Sequence, residues 1–171
     1  GEVIKAALDN HTEHLVISLG GIGSFDGGAG MLQALGARFY DDEAQIVDMR
    51  KGADLIKYIR RIDLSGVHPQ LTKVNIQLMS DFSSRLYGKK SEIMQTYESL
   101  DLSQNEAAEI DNLIWYFSEL FKNELKIAMG PIERGGAGGG IAAVLNSLYQ
   151  AEILTSHELV NQITHLENLI Q

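Results

Sequence analysis

Two glycine runs, Gly20-Gly21-Ile22-Gly23-Ser24-Phe25-Asp26-Gly27-Gly28 and Gly135-Gly136-Ala137-Gly138-Gly139-Gly140, constrain this chain more than any other feature. Each opens into a helical pattern, Ala29 to Leu35 after the first and Ile141 to Leu148 after the second. The first run also follows Leu15-Val16-Ile17-Ser18-Leu19, a short apolar stretch with the look of a buried strand. Backbone that carries no side chains can approach an anion or another backbone closely, and a helix N-terminus adds partial positive charge. Glycine clusters also serve tight turns and close helix packing. Neither run fits a standard nucleotide fingerprint. Gly21-Ile22-Gly23 has Asp26 at the sixth place of a dinucleotide motif, and Gly23 to Gly28 is followed by Ala29-Gly30 where a phosphate loop needs Lys then Ser or Thr.

The remaining chain reads as strands alternating with helices. Apolar residues at 3, 4, 7 and 8 predict an opening helix. Residues 37 to 48 suggest a hairpin, with Arg38-Phe39-Tyr40 and Gln45-Ile46-Val47 joined through Asp41-Asp42, and residues 52 to 62 a helix. Lys73 to Met79 alternates polar and apolar residues, a strand that delivers Ser80-Asp81 at its carboxyl end. Ser103-Gln104-Asn105-Glu106 has capping-box spacing before a helix to about Ile127, with Ile110, Leu113, Ile114, Phe117, Leu120 and Phe121 on one stripe. Phe117, Phe121 and Trp115 are expected in the core. Thr155-Ser156-His157-Glu158 repeats the capping-box spacing before a helix carrying Leu159, Ile163, Leu166 and Ile170. The expectation is a single α/β domain over residues 1–171, a small mixed sheet flanked by helices. The chain begins inside a helical pattern without Met or a cap residue, so a piece excised from a longer protein is expected.

Charge narrows the partners. With 14 Lys and Arg against 23 Asp and Glu, the net charge of -9 leaves no basic stripe for nucleic acid or an anionic membrane. The longest apolar runs fall far below the roughly 18 residues of a bilayer span. The absence of cysteine excludes disulfides, thiolate metal sites and a cysteine nucleophile, and fits a cytoplasmic location.

Two carboxylates stand where chemistry would need them. Asp26 lies among small residues in the first loop, and Asp81 ends a strand, where open α/β sheets place ligand-handling groups. Either suits Mg²⁺ or acceptance of a hydroxyl proton. Asp26 also suits an Asx-turn or a helix N-cap, and Asp81 simple loop solvation. Arg134, before the second glycine run, is placed to meet a phosphate or to stand as an exposed loop charge. His11 and His14 offer two metal ligands without a third or fourth, and read better as solvated residues at a helix end.

The stretch from Leu19 to Phe39, and above all Asp26-Gly27-Gly28-Ala29-Gly30-Met31-Leu32-Gln33-Ala34-Leu35-Gly36, resembles the signature of bacterial glycerate kinases of the type-1 family. Ser80-Asp81-Phe82 with Leu86 and Gly88 is similar to that family's Cys-Asp-Val and Asn-Pro-Leu-Leu-Gly segment, and Gly136-Ala137-Gly138-Gly139-Gly140-Ile141 to its late glycine run. Order and spacing agree along the chain. The resemblance implies the inserted domain of a two-domain kinase about twice this long, phosphorylating D-glycerate with ATP and Mg²⁺ in a cleft of which this domain is one wall. The remainder of its own chain and a small hydroxy acid would be its partners.

The roles implied are catalysis and Mg²⁺ binding at Asp26 and Asp81, and substrate binding at Gly20, Gly21, Gly23, Ser24, Gly27, Gly28, Ser84, Arg134, Gly136, Gly138 and Gly139. Departures from the family pattern include Ile22-Gly23-Ser24-Phe25 in place of Ser-Ala-Thr-Asn. Residues 96 to 101 keep nothing of a Phe-Gly-Pro-Gln-Lys-Gly motif. They open an alternative, a catalytically diverged relative that binds or senses a small molecule.

Overall fold

The computed structural model describes residues 1–21 and 23–164. In chain order the elements are α1 (Glu2–Asp9), β1 (His14–Ser18), α2 (Ala29–Ala34), β2 (Arg38–Tyr40), β3 (Arg61–Asp63), β4 (Asn75–Met79), α3 (Glu92–Thr96), α4 (Gln104–Leu125), α5 (Ile141–Tyr149), β5 (Glu152–Leu154) and α6 (Ser156–Thr164). The α/β class expected from the sequence holds, with the strands divided between two small sheets. β1, β4 and β5 form a parallel sheet in that order, and β2 pairs antiparallel with β3.

β4 is central because its alternation suits the position. Ile76 and Leu78 are buried, in register with Leu15 and Ile17 of β1, while Asn75 is exposed and Gln77 only partly covered. β5 is a strand that periodicity did not reveal, since three residues are too few to show a period. It is recruited by pairing: Leu78 faces Ile153, and the Ser80 amide donates to the Leu154 carbonyl at 2.8 Å.

The region from 37 to 62 corrects two expectations. The chain does turn back after β2, with the Asp41 amide donating to the Gln45 carbonyl and the Val47 amide to Phe39. Residues 45 to 47 nevertheless keep one bridge, Tyr40 to Ile46, and the ladder partner of β2 is β3. The helix expected over 52–62 is a 3₁₀ segment over Ala53–Tyr58 followed by that strand. Pairing wins because the Arg60 amide reaches the Tyr40 carbonyl at 2.7 Å, while the Tyr116 hydroxyl donates to the Ile59 carbonyl at 2.6 Å. Intrinsic helix preference over so short a span is smaller than that tertiary gain.

α4 carries the largest side chains of the core. Its capping box is complete: the Glu106 amide donates to Ser103 Oγ, and the Ser103 amide to Glu106 Oε2. Ile114, Phe117 and Phe121 are buried, and Phe117 meets Phe39 and Phe121 edge-on with centroids 5.7 and 4.9 Å apart. Trp115 is 48% exposed, against expectation. At about 100° per residue it stands roughly 200° from Phe117 around the helix, on the opposite face. α4 stops at Leu125 because Lys126 is left-handed, φ 61.

The second capping box also forms, between Thr155 and Glu158. Leu159 behind it is buried but Ile163 is 66% exposed, and Leu166 and Ile170 lie outside the described residues. Of the apolar residues expected on α1, Leu8 is buried while Val3 stands in solvent.

The two glycine runs pack on each other. The Gly27 amide donates to the Gly139 carbonyl at 2.9 Å, and a Cβ on Gly139 would lie 1.6 Å from the Ser24 carbonyl oxygen. Gly140, at φ 107, would bring a Cβ within 2.6 Å of Gly27 Cα. Gly139→Ala is therefore expected to cost about 3 kcal/mol or to abolish folding. Gly20→Ala, with no heavy atom within 4 Å of the added carbon, should stay within about 0.5 kcal/mol of wild type in urea unfolding.

Candidate functional site

A cleft of about 440 Å³ opens at the carboxyl ends of β1 and β4, where parallel sheets place their ligands. Its floor is Leu19, Phe25, Met79 and Phe82; Gly20, Gly21 and Gly23 form one side; Asp81, Glu92, Thr96 and Ser99 supply the polar groups. The strands hold it together, since the Leu19 amide donates to the Met79 carbonyl at 2.9 Å.

Asp81 is the exposed carboxylate of the cleft. The backbone amide and the hydroxyl of Ser156, at the start of α6, donate to Oδ1 at 2.8 and 2.9 Å. The Ser156 amide and then its hydroxyl hold the Asp81 carboxyl below the ordinary value, and the positive charge of Arg134 adds to the effect. Oδ2 makes no hydrogen bond among the described residues, so this carboxylate is ionised at neutral pH with one oxygen available. Arg134 is left-handed, φ 56, and its buried Nε has no hydrogen-bond partner among the described residues. The structure thus brings Arg134 into the electrostatic range of Asp81.

Asp26 is placed differently. It is 8% exposed, lies outside the lining of the cleft, and accepts from the Gly28 amide on Oδ1 at 2.9 Å and the Gly30 amide on Oδ2 at 2.7 Å. Both oxygens are engaged in closing the first turn of α2. Ser24, Gly27 and Gly28 sit in the contact with the second loop rather than on the cleft wall.

In the second loop Gly136, Gly138 and Gly139 are buried. The Gly136 amide donates to the Ser84 carbonyl at 3.3 Å, and a Cβ there would strike the Arg85 carbonyl oxygen at 2.1 Å. Ser84 is buried, and its hydroxyl has no hydrogen-bond partner among the described residues. His11 and His14 line a separate shallow groove, and among the described residues no group of three His, Asp or Glu side chains is arranged to hold a metal.

Glu92 is the polar group that sequence reasoning missed. It opens α3, where Ser91 Oγ accepts from the Met94 amide, and its Oε2 accepts from the Gly139 amide at 3.1 Å. Burial raises the Glu92 carboxyl above its ordinary 4.5, while the amides of Gly139 and Gly138 pull the other way. The signal available in sequence was the serine before it, an N-cap that would have placed Glu92 in a first turn.

A family model for the glycerate kinase family matches residues 1–171. The chain belongs to the glycerate kinase family. It is 30% identical over 171 residues to a glycerate kinase of Halalkalibacterium halodurans, covering the whole chain and 44% of that protein. To the glycerate 2-kinase of Escherichia coli K12 it is 30% identical over 170 residues, again 44% of the relative. The crystal structure of a Salmonella typhimurium protein assigned as glycerate kinase 2 superposes with a TM-score of 0.89 at 30% identity, over 98% of this chain and 44% of that one. The chain spans less than half the length of these glycerate kinases. No helix among the described residues is long and apolar enough to cross a membrane.

Two stability measurements follow from the carboxylates. Asp26→Ala leaves two amides at the start of α2 without acceptors and should cost about 1–2 kcal/mol in urea unfolding. For Glu92 the folded value is raised, so its favourable contribution is complete below pH 4.5 and is lost as pH rises through the raised value. Glu92→Gln removes that loss. Its stability relative to wild type should therefore climb as pH rises above about 4.5, read from paired denaturation curves.

Proposed function

We propose that this chain is part of a glycerate kinase-like phosphotransferase and forms one wall of its active-site cleft, the other coming from the remainder of the same protein. The reaction passes a phosphoryl group from ATP to a hydroxyl of D-glycerate, giving phosphoglycerate and ADP, in the cytoplasm. The observation that carries this reading is Asp81: an ionised carboxylate with one free oxygen, at the end of the central strand of a cleft, in a chain matched by the family along its whole length.

Asp81 accepts the proton of the attacking hydroxyl or helps to hold Mg²⁺, which is bound through one or two carboxylates together with substrate phosphates. Its ready ionisation and its unengaged Oδ2 suit either task. Gly20, Gly21 and Gly23 offer a wall without side chains, along which an anionic substrate can lie against backbone. Arg134 offsets the negative charge that Asp81 and the substrate bring together. Asp26 acts indirectly, fastening the loop to α2, and the buried glycines with Ser84 hold the wall in place. ATP with Mg²⁺ supplies the electrophilic phosphorus, and positioning and charge neutralisation supply most of the rate.

A second reading, a diverged domain that binds or senses a hydroxy acid without turnover, is favoured by the engagement of amides in both loops by the chain's own carboxylates. Assay of the full-length protein with D-glycerate and ATP·Mg²⁺ separates the two. Turnover is expected, falling about 100-fold or more in Asp81→Asn. An unchanged Asp81→Asn variant would remove Asp81 from the mechanism, and calorimetric binding without turnover would select the second reading.

A further inference from the structure

The cleft holds a second carboxylate whose placement differs in kind from that of Asp81. Glu92 reaches away from its own helix to the second glycine loop, where Oε2 takes the Gly139 amide at 3.1 Å and the Gly138 amide adds to the stabilisation of the charge. Gly138 and Gly139 are both left-handed, φ 64 and φ 63. The chain enters that pair from the right-handed Gly136, φ -72, and a passage from right-handed to left-handed backbone turns amides toward one side, where they meet a carboxylate or phosphate. Burial disfavours the Glu92 charge and outweighs the loop amides, and the Gly139 hydrogen bond is what fixes the carboxylate at the second loop. It is also part of the cleft wall, so a ligand entering the cleft meets its charge.

We propose that Glu92 is a specificity-determining residue: its carboxylate occupies the Gly139 amide and excludes a ligand's phosphate or carboxylate group from the second loop. Anionic groups are thereby confined to the Gly20, Gly21 and Gly23 side, where no carboxylate of the chain is hydrogen-bonded to the backbone among the described residues. Two costs oppose an anion at the second loop while Glu92 is there, displacement of a hydrogen-bonded carboxylate and repulsion between like charges at short range. This role rests on the reading of the cleft as the substrate site, but its test does not require turnover.

The full-length protein, labelled with ¹⁵N, is titrated with inorganic phosphate as wild type and as Glu92→Gln. The expected result is phosphate binding about tenfold or more tighter in the variant, with the Gly138 and Gly139 amide resonances moving in the variant and not in wild type. Glu92→Ala, which removes the side chain as well as the charge, is the second variant should the Gln form fail to fold, with the same expectation. Equal phosphate affinity in wild type and variant, or a gain in affinity without movement of those two amides, would overturn the proposal. A protein that shows this gain yet fails to phosphorylate D-glycerate would refute the kinase reading and leave the role of Glu92 standing.

Discussion

Everything near the cleft depends on the contact between the two glycine loops. The Gly27 amide bonds to the Gly139 carbonyl, and neither Gly139 nor Gly140 has room for a side chain. That contact joins α2, which starts from the first loop, to α5, which starts from the second, and α5 leads directly into β5. Close backbone approach is thus the condition for the parallel sheet to be completed on its far side. Phe117 closes the arrangement from below, packed so near Gly27 that a Cβ there would meet its ring at 2.8 Å. Interiors are packed densely enough that a clash of that size cannot be absorbed locally.

The electrostatics follow from the same contact. Loops with few side chains expose many amides, and buried amides require acceptors. In this chain carboxylates provide them: Asp26 for Gly28 and Gly30, Glu92 for Gly139. Asp81, which lines the cleft together with Glu92, is kept ionised by Ser156 and, more weakly, by Arg134. All three acidic groups hold backbone amides, and Asp81 and Glu92 also line the cleft.

Much of the fold was legible in the sequence where a local pattern had no competitor. The strand through Ile76 and Leu78, both capping boxes, and the helices after both glycine runs stand where periodicity and cap chemistry put them. Legibility failed where elements were short. β3 and β5 have three residues each and exist because a partner strand lies alongside, which no local window contains. The cleft was half legible: the strand-end position of Asp81 and the glycines of the first loop were readable, whereas Glu92 sat in a stretch without a motif.

By itself the sequence determined the α/β class, the strand, glycine loop and helix unit, and a resemblance along the whole chain to the family to which it belongs. These are encoded in spacing, composition and residue order. Only the tertiary structure decided that Asp81 and Glu92 line the cleft while Asp26 is engaged wholly by backbone. Asp26 and Asp81 look alike as letters, each beside small or polar residues. The amides of Gly28 and Gly30 converge on one and the Ser156 hydroxyl and amide on the other, because α2 begins three residues after Asp26 while α6 arrives 75 residues after Asp81.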